Sequence, residues 1–270
     1  MSKFSNSQSY TISAACGCNK GLRRSNNEDN FYFDGDFLNS DNDGMGSILT
    51  RVRDMTPDSD ETGSFFAVYD GMGGGQYGEL ASHAAAAVTE GLLDSVVPLD
   101  ADEVLNGISE MCMELNNAVF DASTDLVVNQ MGSTLVGCYF YGANVWCCNV
   151  GDSRSFRLRD GVLMQLSVDH TDADTMQRSG VKGRKPYLTQ YLGVDPEEMR
   201  ICPEVSQHDL NRGDAYLICS DGLTDMVTEE RITEILMDEG DEEEKVQTLM
   251  VEALRNGGKD NVTVILCTIN

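Results

Sequence analysis

Residues 133–168 read STLVGCYFYGANVWCCNVGDSRSFRLRDGVLMQLSV. Four runs rich in β-branched and aromatic residues lie back to back here, which is the pattern of strands. Tyr141-Gly142-Ala143-Asn144 and the Asp160-Gly161 turn join neighbours closely, as in antiparallel hairpins. Working outward, YTISAACG, NFYFD and SFFAVYD precede this block, and DAYLICSD and NVTVILCTI follow it, all with strand character. Helical periodicity covers 76–93, 102–125, 228–238 and 242–256; the second has apolar residues at Val104, Ile108, Met111, Leu115 and Val119. Two helices before the hairpins and two near the end predict an α+β fold. Strict β-α-β alternation is absent, which disfavours a doubly wound nucleotide fold. No repeat or Pro/Ser-rich linker divides residues 1–270, so a single domain is expected. Residues 34–63 read as an acidic, turn-rich insertion, 171–200 as a flap without clear period, and Glu239–Glu244 as a solvated turn.

The chain has 270 residues, 45 acidic against 19 basic, for a net charge of −26. That charge argues against nucleic acid and against an anionic membrane surface as partners. With 41% hydrophobic residues there is material for a core, yet no apolar run approaches the roughly 18 residues of a membrane span. The N-terminal MSKFSNSQSYTIS lacks the apolar core of a secretion signal. Most of the nine cysteines fall in strand-like apolar runs, the expectation for reduced, buried thiols in a cytoplasmic protein. Cys16 and Cys18 flank a single glycine, too tight for the usual zinc pair.

Among many carboxylates, position must select. Glu28 and Asp29, Asp70, Asp152, Asp221 and Asp260 each sit beside Gly or Asn at the edge of an apolar run. One Asp-Gly is ordinarily a turn. Five such clusters, with no competing His or Cys cluster, can instead converge into a pit of like charges that requires cations. Oxygen donors without imidazole or thiolate select Mg²⁺ or Mn²⁺ over Zn²⁺.

These residues resemble the metal-dependent type-2C (PPM) family of serine/threonine protein phosphatases in its bacterial form. The matching motifs run in family order: GLRRSNNED at 21–29, FFAVYDGMGGG at 65–75, MGSTLVG at 131–137, NVGDSR at 149–154, DHT at 169–171, GDAYLICSDGLTDMV at 213–227 and GGKDNVTVIL at 257–266. The resemblance implies a four-layer α/β/β/α sandwich of two antiparallel sheets flanked by helix pairs. It implies two Mg²⁺ or Mn²⁺ ions bridged by Asp70, with the Gly71 carbonyl, Asp221 and Asp260 on the first and Glu28 and Asp29 on the second. A third, weaker ion would lie at Asp152 and Asp221, and Arg24 would bind phosphate. The implied reaction is hydrolysis of phosphoserine and phosphothreonine in proteins by a metal-activated water, with no covalent enzyme intermediate. The implied partners are phosphorylated targets of a bacterial serine/threonine kinase. A regulatory phosphatase for one anti-sigma-antagonist-like protein is a rival within enzymes. From another class, the rival is a pseudophosphatase, a phosphoprotein-binding regulator without hydrolysis.

Several features have plainer readings. Arg23 rivals Arg24, and spacing favours Arg24. Gly73-Gly74-Gly75 lack a following P-loop Lys-Ser/Thr and read as a tight turn behind Asp70. Asn39–Thr50 imitates a calcium loop but has Asn at position 1 and Thr at position 12. Ser133 and Ser153 are in no nucleophile elbow. His83 reads as structural and His170 as a flap anchor. Met72 stands where many eukaryotic members carry His. Pro186–Gly193 also departs from the common bacterial pattern, at the flap residue that helps to hold the third metal.

Overall fold

The computed structural model describes residues 9–56, 63–72, 77–94, 96, 101–126 and 131–270. The described strands are β1 (Tyr10–Asn19), β2 (Asp29–Phe33), β3 (Leu49–Met55), β4 (Ser64–Met72), β5 (Gly132–Ser133), β6 (Leu135–Tyr141), β7 (Asn144–Val150), β8 (Arg154–Arg159), β9 (Val162–Gln165), β10 (Glu204–Asp209), β11 (Ala215–Cys219) and β12 (Val262–Ile269). The helices are α1 (Gly78–Leu93), α2 (Ala101–Asp125), α3 (Ala173–Ser179), α4 (Asp221–Thr224), α5 (Glu229–Met237) and α6 (Glu242–Arg255). One sheet runs β3-β1-β12-β11-β8-β9, the other β10-β7-β6-β4-β2, with β5 paired to β4. Every pairing is antiparallel.

Side-chain alternation along the strands divides the interior into three layers. Phe31 and Phe33 of β2, Phe66 and Val68 of β4, Ile12 and Cys16 of β1, and Ile265 and Cys267 of β12 meet between the sheets. The alternate residues Phe65, Ala67 and Tyr69 face α1 and α2, where Ala81, Ala85 and Ala86 permit close approach. On the far side Leu217, Cys219, Val264 and Leu266 pack on Ile232, Ile235, Val246 and Leu249 of α5 and α6. This is the α/β/β/α sandwich, and both faces of each sheet are covered as the near-continuous apolar runs require.

Three segments differ from the sequence expectation. The 34–63 stretch contains β3, whose residues Leu49–Met55 pair with Cys16–Tyr10 of β1. As an edge strand with one face exposed it needs few apolar residues, so LTRVRDM lacks a strong strand signal. Arg51 pairs with Asp36, and Arg53 with Asp34 at 3.0 Å, holding the acidic segment to that edge. β10, EVSQHD, is a second polar edge strand. The run Glu239–Glu244 is more than a turn: Asp241 and Glu244 form a reciprocal capping box at the start of α6, where acidic side chains favour the helix dipole. Gly73–Gly75 lie outside the described residues. All nine cysteines are free thiols, with eight of them buried, as expected.

Phe66 sits in the central layer with ring centroids 5.3 Å from Phe33 and 5.9 Å from Phe140. Phe66→Ala is expected to cost about 3–5 kcal/mol in chemical denaturation, the range for a large core truncation. A loss below about 1 kcal/mol would contradict this packing.

Candidate functional site

The period of two that buries Phe31, Phe33, Phe66 and Val68 between the sheets carries the same face to the strand ends, at Asp29 and Asp70. These two aspartates are direct cross-strand partners. Asp29 is fully enclosed, and its Oδ2 accepts hydrogen bonds from Ser220 Oγ and Thr263 Oγ1, each 2.7 Å. Asp70 is fixed through its backbone: its N–H donates to Thr134 Oγ1 at 3.0 Å, and its carbonyl accepts from Thr134 N at 2.8 Å and Ser133 Oγ at 3.2 Å. Thr134 Oγ1 lies 2.7 Å from Ser153 Oγ. Ser133 and Ser153 therefore support the backbone behind Asp70, consistent with their exclusion as nucleophiles.

Three further strand ends arrive at the same edge. Asp221 follows β11 and opens α4, and Gly222 presses on the Asn261 carbonyl so closely that an added Cβ would lie 1.8 Å from its oxygen. Asp260 precedes β12, and Asp152 lies between β7 and β8. The 20–28 loop brings Glu28 and Arg24. It is tied down by Asn261, whose Oδ1 accepts from Glu28 N at 2.8 Å while Nδ2 donates to the carbonyls of Lys20 (2.8 Å) and Asn26 (3.0 Å). Gly71 has no room for a side chain, since a Cβ would meet the Gly78 and Glu28 carbonyls at 2.1 and 2.4 Å.

The result is a cleft of about 690 Å³ lined by Arg24, Glu28, Asp70, Gly71, Asp152, Asp221 and Asp260, every sequence-selected residue except the deeper Asp29. Met72, at the position where many eukaryotic members carry His, also lines it. Arg23 is exposed and does not line the cleft. Arg24 donates to Asp260 Oδ2 at 2.6 Å and lies 3.5 Å from Glu28 Oε2.

Crowding of like charge governs the electrostatics. Burial, then the charges of Asp29, Asp221, Asp260 and Asp152, hold the Asp70 carboxyl well above the ordinary carboxylate range. Burial pushes Asp29 up to about 7 against the opposing Ser220 and Thr263 donors. Burial and Asp221 raise Asp152 to about 6. Burial raises Glu28 and Asp221 as well, Asp221 being relieved by Lys185. Among the described residues, Asp29 Oδ1 and Asp221 Oδ1 are buried with no hydrogen-bond partner. As placed, no three His, Cys, Asp or Glu side chains among the described residues close on a common point. Asp260 and Asp221 are turned instead to Arg24 and Lys185. The donor set itself, all oxygen and with two buried oxygens unmatched, fits Mg²⁺ or Mn²⁺.

Sequence reasoning missed Asn261, Thr134 and Lys185. The first two are adjacent to selected motif residues, and their roles lie in backbone contacts that no residue pattern displays. Lys185 Nζ binds Asp221 and lies 3.1 Å from Asp225 Oδ2, yet its segment has no periodicity that could have assigned it to the cleft. His170 is an anchor as expected: Gly151 N donates to its Nδ1 at 3.2 Å, and its carbonyl accepts from Thr189 N at 2.8 Å. His83 meets Phe37 edge-on at a ring distance of 5.8 Å, away from the cleft. In the calcium-like loop, Asn42 Oδ1 accepts from Asn27 Nδ2 and Gly44 N, and Asp43 pairs with Lys20, so those groups hold the loop itself.

A carboxyl whose folded pKa is raised binds more protons folded than unfolded, so its cost is full above the folded pKa and fades as pH falls toward its ordinary value. With EDTA present, stability should therefore rise as pH falls from about 8 to about 5, the window set by Asp29 near 7 and Asp152 near 6. Asp29→Asn should flatten that rise, by an amount on the order of a few kcal/mol. Parallel pH profiles for the two proteins in chemical denaturation would contradict a strained carboxylate at Asp29.

Comparison with known proteins bears on the family and the fold. Residues 53–256 match the family model described as Protein phosphatase 2C. A serine/threonine phosphatase stp of Listeria monocytogenes is 34% identical over 209 residues, 74% of this chain and 82% of that protein. The stp protein of Listeria innocua is 33% identical over 213 residues, 75% of this chain and 83% of that protein. A crystal structure of the catalytic domain of serine threonine protein phosphatase PstP, in complex with 2 manganese ions, superposes with a TM-score of 0.74 at 29% identity, covering 96% of this chain and 99% of that one. On its sequence and its fold, this chain belongs to the protein phosphatase 2C family.

Proposed function

We propose that this chain hydrolyses phosphoserine and phosphothreonine monoesters in proteins, using two divalent cations, Mg²⁺ or Mn²⁺, held in the carboxylate cleft. Family membership and relatives named serine/threonine phosphatase support the reaction. The observation that carries the metal assignment is the pair of buried, unmatched oxygens on Asp29 and Asp221 in a cleft of mutually repelling carboxylates. Asp70, the Gly71 carbonyl, Asp221 and Asp260 are the proposed holders of one cation; Glu28 and Asp29 serve the other. Asp152 with Asp221 is the proposed seat of a third, weaker ion. When bound, the cations supply an acidified water as nucleophile and positive charge against the phosphoryl oxygens. Arg24 contributes a planar guanidinium at the mouth, suited to paired contacts with phosphate once it leaves Asp260. Among the described residues no histidine lines the cleft, so none of their imidazoles is at hand to protonate the leaving oxygen.

The pseudophosphatase reading gains no support, because every carboxylate of the expected set is present and all but the enclosed Asp29 line the cleft. The proposed substrates are phosphorylated proteins, targets of a serine/threonine kinase, met in the cytoplasm. Among the described residues no helix is long and apolar enough to cross a membrane.

Hydrolysis of a phosphothreonine peptide should vanish in EDTA and return with Mn²⁺ or Mg²⁺. Asp70→Asn should lower turnover by at least about a hundredfold, since the effects it supports are worth several kcal/mol. Full activity without metal, or near-normal turnover in Asp70→Asn, would refute the assignment.

Arg24→Ala removes a charge-assisted contact worth roughly 1.5–3 kcal/mol, or about ten- to 150-fold. The loss should fall on KM if the contact is equal in ground and transition states, and also on kcat if it tightens during attack. Arg23→Ala is the control and should behave like the parent. The opposite ranking of the two variants on one phosphopeptide would place the phosphate contact at Arg23.

A further inference from the structure

Cys18 stands in β1 directly opposite Thr263 of β12, and both side chains are fully buried. Cys18 Sγ lies 3.1 Å from Thr263 Oγ1, and Asn27 Nδ2 donates to the same sulfur at 3.2 Å. Thr263 Oγ1 in turn lies 2.7 Å from Asp29 Oδ2. A row of polar atoms therefore runs from the 20–28 loop through the thiol and the hydroxyl to the carboxylate, beside the apolar layer between the sheets. Both ends of the row are held. Asn27 Nδ2 also donates to Asn42 Oδ1 at 2.7 Å and to the Asp29 carbonyl at 3.0 Å, and Met45 N donates to the Cys18 carbonyl at 2.8 Å.

Proton counting sets the direction of this row. A threonine hydroxyl has one proton, and Thr263 has two acceptors in reach, the Cys18 sulfur and the Asp29 carboxylate. A bond to an ionised carboxylate is roughly twice as strong as a neutral one, so the proton goes to Asp29 Oδ2. A lone pair of Thr263 Oγ1 is then left for the sulfur, and the thiol proton is what fits it. The sulfur already accepts from Asn27, which leaves its S–H to donate. Ser220 is settled likewise: its Oγ accepts from Thr263 N at 3.0 Å and donates to Asp29 Oδ2 at 2.7 Å. Two hydroxyl protons converge on Oδ2, while Oδ1 has no partner among the described residues.

We propose that Cys18 is a positioning residue for Asp29: its thiol donates to Thr263, commits the Thr263 proton to Asp29 Oδ2, and so leaves Oδ1 bare for a divalent cation. The inference rests on the phosphatase reading for the cation itself. Donation by the thiol also polarises the Thr263 hydroxyl and strengthens its bond to the carboxylate. A buried cysteine serving only as a small apolar filler would be indifferent to whether residue 263 carries a hydroxyl.

Calorimetric titration of Mn²⁺ into the whole chain, first stripped with EDTA, makes that distinction. Thr263→Val removes the hydroxyl at similar bulk and should weaken binding about ten- to a hundredfold, the range for a partner directly behind a metal ligand. Cys18→Ala should weaken it about three- to tenfold, the range for one neutral hydrogen bond. Cys18→Ser keeps a donor and should stay within about twofold of wild type. In the Thr263→Val background, Cys18→Ala should cost nothing further, because its route to Asp29 is already gone. Infrared difference between wild type and Cys18→Ser, which needs neither metal nor the alanine variant, should show an S–H stretching band at the low, hydrogen-bonded end. Three results would each overturn the role: an unchanged Mn²⁺ constant in Cys18→Ala, the same loss in both backgrounds, or an S–H band at the free-thiol position. The phosphatase reading would survive any of them so long as wild type binds Mn²⁺ and hydrolyses the phosphopeptide. If wild type binds no Mn²⁺, that reading falls and this inference with it.

Discussion

Asp29 and Asp70 face one another across two antiparallel strands with like charge, Asp29 enclosed and Asp70 at the cleft. No arrangement of apolar residues stabilises such a pair, and the surrounding structure is organised around holding it. Ser220 and Thr263, from the other sheet, donate to Asp29. Ser133 and Thr134 fix the Asp70 backbone. Asn261 binds the arginine-bearing loop to the strand end that carries Asp260. The cleft is therefore a joint between the two sheets, and groups from both must be in register for it to exist.

The sandwich explains why this joint can bear the strain. The apolar layers between the sheets and under both helix pairs are continuous, and the carboxylates stand only at one rim. Destabilisation is thus confined to strand ends, where cations can relieve it without rearrangement of the core. Arg24 and Lys185 already meet part of that charge from the protein's own side chains, through Asp260 and Asp221. Their attachment points differ. Arg24 comes from a loop tied to the core, whereas Lys185 comes from a flap fastened mainly to itself through Asp172.

Much of this was legible in the sequence because it follows from period and punctuation. The alternation in SFFAVYD fixes both the layer that each side chain enters and the face on which Asp70 emerges. Turn residues beside Asp152, Asp221 and Asp260 marked strand ends. β3 and β10 were not legible, because an edge strand exposed on one face carries few apolar residues and resembles a loop. Asn261 and Thr134 act through backbone contacts of Glu28, Asn26, Lys20 and Asp70, which depend on tertiary approach. Lys185 acts from a flap of irregular backbone, and only its return against Asp172 sends it into the cleft.

The central claim is that these carboxylates exist to hold a pair of divalent cations between the sheets. Anomalous X-ray diffraction from crystals of the chain grown with Mn²⁺ tests it most directly. The account predicts manganese peaks in the cleft, one of them bridged to its neighbour by Asp70, with Asp29 Oδ1 and Asp221 Oδ1 no longer without partners. Crystals that bind manganese only on the outer surface, with Asp260 and Asp221 still turned to Arg24 and Lys185, would contradict it.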